Sequence, residues 1–130
     1  LKKGSRKEVI LNGIAKGSGM IAPNMATMLA FIFTNVQIDK DFNKQKIRNL
    51  VDQTFNSITV DSDTSTSDMV LVISVKQESE NYFKTSSSHI NSFMELLKEI
   101  MYELSHKIVK DGEWASKFIT IHVVNAKNNL

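Results

Sequence analysis

The 130-residue chain has no cysteine. That excludes disulfide staples, thiolate zinc sites and cysteine nucleophiles, and leaves a reducing compartment open to it. It has no long hydrophobic run: the longest, at 28–33, is far short of the ~20 residues that span a bilayer. No signal peptide is visible, and the chain begins with Leu1 rather than Met, so it reads as a fragment of something longer. It has little net charge, +2, so no strong field points to a charged partner. Lys2, Lys3, Arg6 and Lys7 cluster, but no aromatic residue interleaves with them, and the cluster reads as a solvated terminus rather than a nucleic-acid surface. Proline occurs once, as Pro23, inside a stretch already broken by Gly17 and Gly19.

What is there suffices for one globular domain spanning 1–130. Hydrophobic residues make up 42% and charged residues 23%, enough to bury a core at this length. Residues 8–14 read as a strand ending in Asn12-Gly13 turn chemistry, followed by a loop to Pro23. Residues 27–38, rich in Phe, Ile, Leu and Val, predict a largely buried strand. A helix follows, with Asp39 or Asp41 as its cap and Phe42, Ile47, Leu50, Val51, Thr54, Phe55 and Ile58 on one face. Residues 61–68 are a polar loop and 69–75 a strand covered on both faces. A second polar loop covers 78–87. Ser87 or Ser88 then caps a long helix with Ile90, Phe93, Met94, Leu97, Met101, Leu104 and Ile108 on its apolar face, ended by Gly112. Residues 117–124 alternate and predict a last strand. The order β-β-α-β-α-β implies an α/β or α+β layered sandwich, two helices packed on a sheet.

Several chemical signatures dissolve on inspection. Lys16-Gly17-Ser18-Gly19 reverses the residue order of a phosphate-binding loop and precedes a strand, not a helix, so it reads as a tight turn. Glu103-x-x-His106 has the spacing of a di-iron ligand pair, but there is one such pair where two are needed, and it reads as an exposed helix face. His89 and His122 have no ligand partner at metal spacing. Ser, His and Asp are all present, yet no nucleophile elbow selects a serine. The acidic Ser/Thr loop at 61–68 lacks the Gly and terminal Glu of a calcium loop and reads as a hydrogen-bonded turn.

Thr27 is harder to place. It stands between small and apolar residues, after a Gly-rich turn and Lys16. As a plain residue it is the β-branched start of a buried strand. If the backbone is cut before it, its α-amino group, with an ordinary pKa of ~7.7–8.0, becomes a base beside its own hydroxyl. Lys16 can then hold a substrate carboxylate by charge-assisted hydrogen bonds.

The stretch Gly13-Ile14-Ala15-Lys16-Gly17-Ser18-Gly19-Met20-Ile21-Ala22-Pro23-Asn24-Met25-Ala26-Thr27-Met28-Leu29 closely resembles the self-cleavage region of the bifunctional ornithine acetyltransferase (glutamate N-acetyltransferase) family of arginine biosynthesis. Two further blocks agree in order: Phe55-Asn56-Ser57-Ile58-Thr59-Val60-Asp61-Ser62-Asp63-Thr64-Ser65-Thr66-Ser67-Asp68 and Lys110-Asp111-Gly112-Glu113. The resemblance implies a larger self-cleaving acetyltransferase-type fold. It implies autoproteolysis between Ala26 and Thr27, with Thr27 as catalytic N-terminal nucleophile. It implies Lys16, Thr27 and Glu113 as substrate-binding residues, and cytoplasmic transfer of acetyl from N-acetylornithine to glutamate. No metal or cofactor is implied; acetyl-CoA serves some members as donor. Trp114 stands where the family has a small Gly, and Ser62 and Ser67 replace the usual Gly and Asn. The family's oxyanion-hole Thr-Gly pair and its C-terminal substrate residues are not among these 130 residues. The alternatives are an inactive fold fragment or interaction module, or a self-cleaving aminopeptidase relative. A fragment exposes strand edges and apolar surface, so it is expected to self-associate or to pair with the missing parts of its parent, without nucleic acid or membrane.

Overall fold

The computed structural model describes residues 8–17, 27–38, 44–60, 65–75, 82–83, 89–112 and 115–127. Its centre is a three-stranded sheet in the order β1-β2-β4. β1 (Leu11–Lys16) pairs antiparallel with β2 (Leu29–Thr34), Lys16 opposite Leu29 and Leu11 opposite Thr34. On its other edge β2 pairs parallel with β4 (Met69–Ser74), Leu29 opposite Met69. A short parallel pair, β3 (Gln37–Ile38) with β5 (Tyr82–Phe83), sits apart from this sheet.

The alternation of β2 sorts its side chains cleanly. Ala30, Ile32 and Thr34 are buried, and by register they share a face with Leu11, Gly13 and Ala15 of β1 and with Val70 and Val72 of β4. Against this face lies α2 (His89–Lys110), whose Ile90, Phe93, Leu97, Met101, Leu104, Ser105 and Ile108 recur every three or four residues and are all buried. The approach is close at Gly13: a Cβ there would lie 2.7 Å from Leu104 Cδ1 and 3.1 Å from Ile100 Cδ1. A larger residue at this point would make the ends of the Leu104 and Ile100 side chains shift.

The other sheet face carries Ile14, Leu29, Phe31, Phe33, Met69, Leu71 and Ile73, aligned by the same registers. It is apolar and open: Ile14 is 65% exposed, and Phe33, Met69 and Leu71 are each exposed by about two fifths. A sheet with a parallel pair is normally covered on both faces.

The first helix is shorter than its apolar periodicity predicts. α1 (Lys44–Asp52) stops, and the chain tightens into a single 3-10 turn at Phe55–Ser57. Local side chains compete for the backbone here: Thr54 Oγ1 donates to the Leu50 carbonyl (2.7 Å) and Ser57 Oγ to that of Asp52 (2.6 Å). Leu50 and Phe55 still enter the core, with Ile47, Val51 and Ile58 packed partly buried around it, so the apolar face survives the break. The long β-region at 27–38 also divides. After Thr34 the chain bends at Asn35, whose side chain stands in for a strand neighbour by accepting from Ile10 N–H (2.9 Å) and donating to the Glu8 carbonyl (2.9 Å). β5 lies within the segment that sequence assigns to a polar loop, where Tyr82 and Phe83 are the strand-forming residues. The proposed caps Asp39, Asp41, Ser87 and Ser88, and Phe42, lie outside the described residues.

The last predicted strand is a correction. Residues 117–124 form no strand; the segment runs exposed, with Ile119 and Ile121 74% and 82% accessible. Alternating sequence makes a strand only when an edge is there to receive it, and among the described residues neither sheet pairs with this segment. It is tethered to α2 instead, through Phe118, which lies 5.2 Å from the His106 ring and 5.2 Å beneath Lys110 Nζ.

Truncating the fully buried Leu97 to Ala is expected to cost about 2–5 kcal/mol in urea unfolding. Gly13→Val, which thrusts methyl groups into Leu104 and Ile100, is expected to cost about 1–3 kcal/mol. A Gly13→Val chain as stable as the parent would contradict the close helix–sheet approach.

Candidate functional site

One end of the three-stranded sheet gathers the residues that matter. β1 finishes there at Lys16, while β2 and β4 begin there just after Thr27 and Asp68. The gathering follows from strand directions. In an antiparallel pair the end of one strand meets the start of the next, and in a parallel pair two starts lie side by side.

The contacts at this end converge on a single peptide unit. Lys16 Nζ donates to the carbonyl oxygen of Thr27 (3.0 Å), and the N–H of Met28 donates to Asp68 Oδ1 (2.9 Å). The Thr27–Met28 peptide thus has an ammonium on its oxygen and a carboxylate on its N–H. Both are charge-assisted bonds, shorter and stronger than neutral ones. Met69 N–H then donates to the Met28 carbonyl (3.0 Å), continuing the grip into the β2–β4 ladder. Met28 is buried and Thr27 half-buried, whereas Lys16 and Asp68 are exposed. Lys16 Nζ also reaches the Gly17 carbonyl at 3.5 Å. An ammonium has three donors, so the bonds to the Thr27 and Gly17 carbonyls leave one for an incoming carboxylate.

Ala26, the residue before Thr27, lies outside the described residues, as do Glu113, Trp114, Ser18, Gly19, Asp61, Ser62, Asp63, Thr64 and the basic cluster at 1–7. Of the third block, Lys110 and Asp111 are described, and so is Gly112. A Cβ there would lie 3.0 Å from Val60 Cγ1 and 3.1 Å from the Val109 carbonyl, so the second and third sequence blocks touch at this glycine. Gly112 does not adopt a left-handed conformation; it ends α2 by donating to the Val109 carbonyl (3.2 Å) and leaves room for Val60.

The chain matches the model described as the ArgJ family over residues 2–130. The chain belongs to the ArgJ family. Among its relatives is the arginine biosynthesis bifunctional protein ArgJ of Streptococcus mutans, 47% identical over 125 residues, which cover 96% of this chain and 32% of that protein. The protein of the same name from Neisseria meningitidis serogroup A is 44% identical over 97% of this chain and 31% of its own length. The crystal structure of ArgJ from Bacillus halodurans superposes with a TM-score of 0.60 at 32% identity, covering 67% of this chain and 41% of that one. The chain therefore spans about a third of the length of the curated ArgJ relatives it matches, and its α/β layers correspond to part of a known ArgJ fold.

Sequence reading singled out Lys16 and Thr27, and the structure brings Lys16 Nζ to the Thr27 carbonyl. The sequence alone reads Asp68 only as part of the acidic 61–68 turn and as the last residue of the second block, directly before an apolar run of strand length, with no role at Thr27. Within the described part of the acidic loop, Ser67 N–H donates to Ser65 Oγ (3.1 Å), the turn type that Ser and Thr favour.

The Glu103-x-x-His106 pair is an exposed helix face. Glu103 meets Lys107 one turn on (2.6 Å), and His106 Nδ1 lies 2.9 Å from the Tyr102 carbonyl. Among the described residues no group of three His, Asp or Glu converges. No helix among them is long and apolar enough to cross a membrane. The hydrogen bond and charge of Lys107 hold the Glu103 carboxyl below its ordinary range. A depressed folded-state value means that any stability from the pair is present above the unfolded pKa of about 4.3 and fades as pH falls through the lowered one. Full exposure keeps that contribution small. Glu103→Gln is accordingly expected to leave the thermal unfolding midpoint at pH 7 within experimental error, and zinc or ferrous iron to leave it unshifted; a metal-dependent rise abolished by the substitution would restore the ligand reading.

Proposed function

We propose that the protein carrying this sequence is a glutamate N-acetyltransferase that moves acetyl from N-acetylornithine to glutamate through Thr27. What supports the reading is the meeting of Lys16 with Thr27 at the head of the central strand, in a chain of the ArgJ family whose relatives are named for arginine biosynthesis. Nucleophile chemistry asks for a hydroxyl on rigid backbone with a base in reach. Thr27 lies two residues before the first residue of the strand bonded on both edges, and its hydroxyl and α-nitrogen are carried on one residue.

In the proposed sequence, Thr27 Oγ first attacks the carbonyl carbon of Ala26. The acyl group shifts from nitrogen to oxygen, and water hydrolyses the ester, leaving a carboxylate on Ala26 and a free amine on Thr27. That amine then takes the hydroxyl proton as Oγ attacks the acetyl carbonyl of N-acetylornithine. The C–N bond breaks, the proton leaves with the ornithine amine, and acetyl remains as an ester on Thr27. The α-amine of glutamate attacks this ester and regenerates the hydroxyl. Lys16, with one donor to spare, binds a substrate carboxylate, and Glu113 is assigned the substrate's ammonium group on grounds of charge. Acetyl-CoA is an alternative donor to the same ester, and the reaction belongs to the cytoplasm.

The open sheet face favours a companion statement. Ile14, Phe31, Phe33, Met69 and Leu71 form a contiguous apolar surface, which the remaining length of an ArgJ protein covers, and through which the 130-residue chain alone associates with itself. On that view the lone chain is an incomplete site, catalytically idle until the rest of the protein supplies an oxyanion hole.

In a protein of the relatives' full length carrying this sequence, intact-mass spectrometry is expected to find two pieces joined at Ala26 and Thr27. Thr27→Ala is expected to leave one uncut chain without acetyl transfer. Transfer at the parental rate by Thr27→Ala would refute the reading, and cleavage of peptide amides rather than N-acetylornithine would move it to an aminopeptidase. For the 130-residue chain, sedimentation is expected to show oligomers that Leu71→Lys with Phe33→Lys reduces to monomers; a monomeric parent chain would contradict the association.

A further inference from the structure

We infer that Asp68 is a positioning residue for Thr27, acting through the Met28 N–H. The inference rests on the reading of Thr27 as nucleophile and adds to it a residue from the far side of the sheet.

Three observations carry it. Asp68 Oδ1 accepts from Met28 N–H at 2.9 Å across 40 residues of sequence, so the bond is tertiary and not a local turn. The next residue, Met69, donates to the carbonyl of the same Met28 at 3.0 Å, so the Asp68–Met69 pair holds Met28 at both ends. The N–H that Asp68 holds belongs to the peptide whose carbonyl Lys16 holds at 3.0 Å. A peptide unit is planar, so holding its oxygen and its N–H from opposite sides removes tilts of the plane that a single anchor would allow. The soft dihedrals left between that plane and the Thr27 side chain are ψ and χ1 of Thr27 itself. Without Asp68 the plane is held on its oxygen alone and can rock about the Lys16 bond, taking Thr27 with it.

The location fits this role. Thr27 lies just outside the ladder, where β2 has begun to lose its pairing partners, and there a strand end frays. Asp68 supplies at that point the acceptor that a further ladder residue would otherwise supply. A side-chain carboxylate suits the task because β4 starts only at Met69 and has no earlier paired carbonyl to offer. The exposure of Asp68 keeps the desolvation cost of its charge low.

Catalysis is sensitive to such placement: displacement of a reacting group by about 1 Å can cost about 10²-fold in rate. In the full-length protein, Asp68→Ala is therefore expected to slow self-cleavage and lower kcat for acetyl transfer by about 10²-fold, with KM for N-acetylornithine within about threefold of the parent. Asp68→Asn, whose carboxamide oxygen still accepts from Met28 N–H, is expected to recover most of that loss. A merely structural aspartate would not give this split or this rescue. If Asp68→Ala does not fold, Asp68→Glu takes its place: it keeps the charge, moves the oxygen by one methylene, and is expected to lower kcat without lowering the melting temperature. Parental kcat and cleavage rate in folded Asp68→Ala, or in Asp68→Glu where that is the variant read, would overturn the inference, as would equal losses in Asp68→Ala and Asp68→Asn. Thr27→Ala is run beside them. Activity in Thr27→Ala removes the nucleophile reading beneath the inference, whereas a dead Thr27→Ala with an unimpaired Asp68→Ala removes the positioning role alone.

Discussion

Hydrogen bonding along both edges of β2 is the constraint on which the rest of this structure depends. β1 satisfies one edge antiparallel and β4 the other parallel. With both edges filled, a strand six residues long has no freedom to slip, because a one-residue shift would carry Ala30, Ile32 and Thr34 out of the core and Phe31 and Phe33 into it. The same directions bring the end of β1 and the starts of β2 and β4 to one edge of the molecule. Lys16, Thr27 and Asp68 are far apart in sequence and adjacent for this reason alone.

The sheet is asymmetric across its plane. On one side α2 packs Phe93, Leu97, Met101 and Leu104 into one core with Ala30 and Ile32 of β2, and Leu104 and Ile100 crowd Gly13 of β1. On the other side apolar residues of all three strands face outward. A two-layer piece with one dry and one open face is half of a layered fold. That agrees with a chain spanning about a third of its ArgJ relatives and matching about two fifths of a solved ArgJ chain. The 117–124 segment carries an alternating sequence, and among the described residues no strand pairs with it.

Much of this was legible in the residues. The apolar stripe from Ile90 to Ile108 predicted α2 and its buried face nearly residue by residue, because a 22-residue helix samples its period many times. The apolar stretches at 27–38 and 69–75 predicted strands, and β2 and β4 form there; the second reads in sequence as covered on both faces, whereas Met69, Leu71 and Val75 are exposed. Periodicity missed the end of α1, where the hydroxyls of Thr54 and Ser57 capture backbone carbonyls that a longer helix would use. It overread 117–124, since alternation records a strand's faces and says nothing of its partner. At the site, composition alone reads Thr27 as the β-branched start of a strand; the resemblance of the 13–29 stretch to the ornithine acetyltransferase family is what singles out Thr27 and Lys16. Nothing singles out Asp68, because its role comes from strand pairing, and the register of β2 against β4 is not written in either strand's composition.

The most direct measurement is amide hydrogen exchange at Met28, resolved by NMR on the 130-residue chain. A Met28 N–H held by Asp68, with its own carbonyl held by Met69, exchanges as slowly as the amides of β2 from Ile32 to Thr34. Exchange at the rate of an unstructured peptide, with those strand amides still protected, would mean that Thr27 and Met28 hang free of the sheet. The gathered site at its end would then not exist.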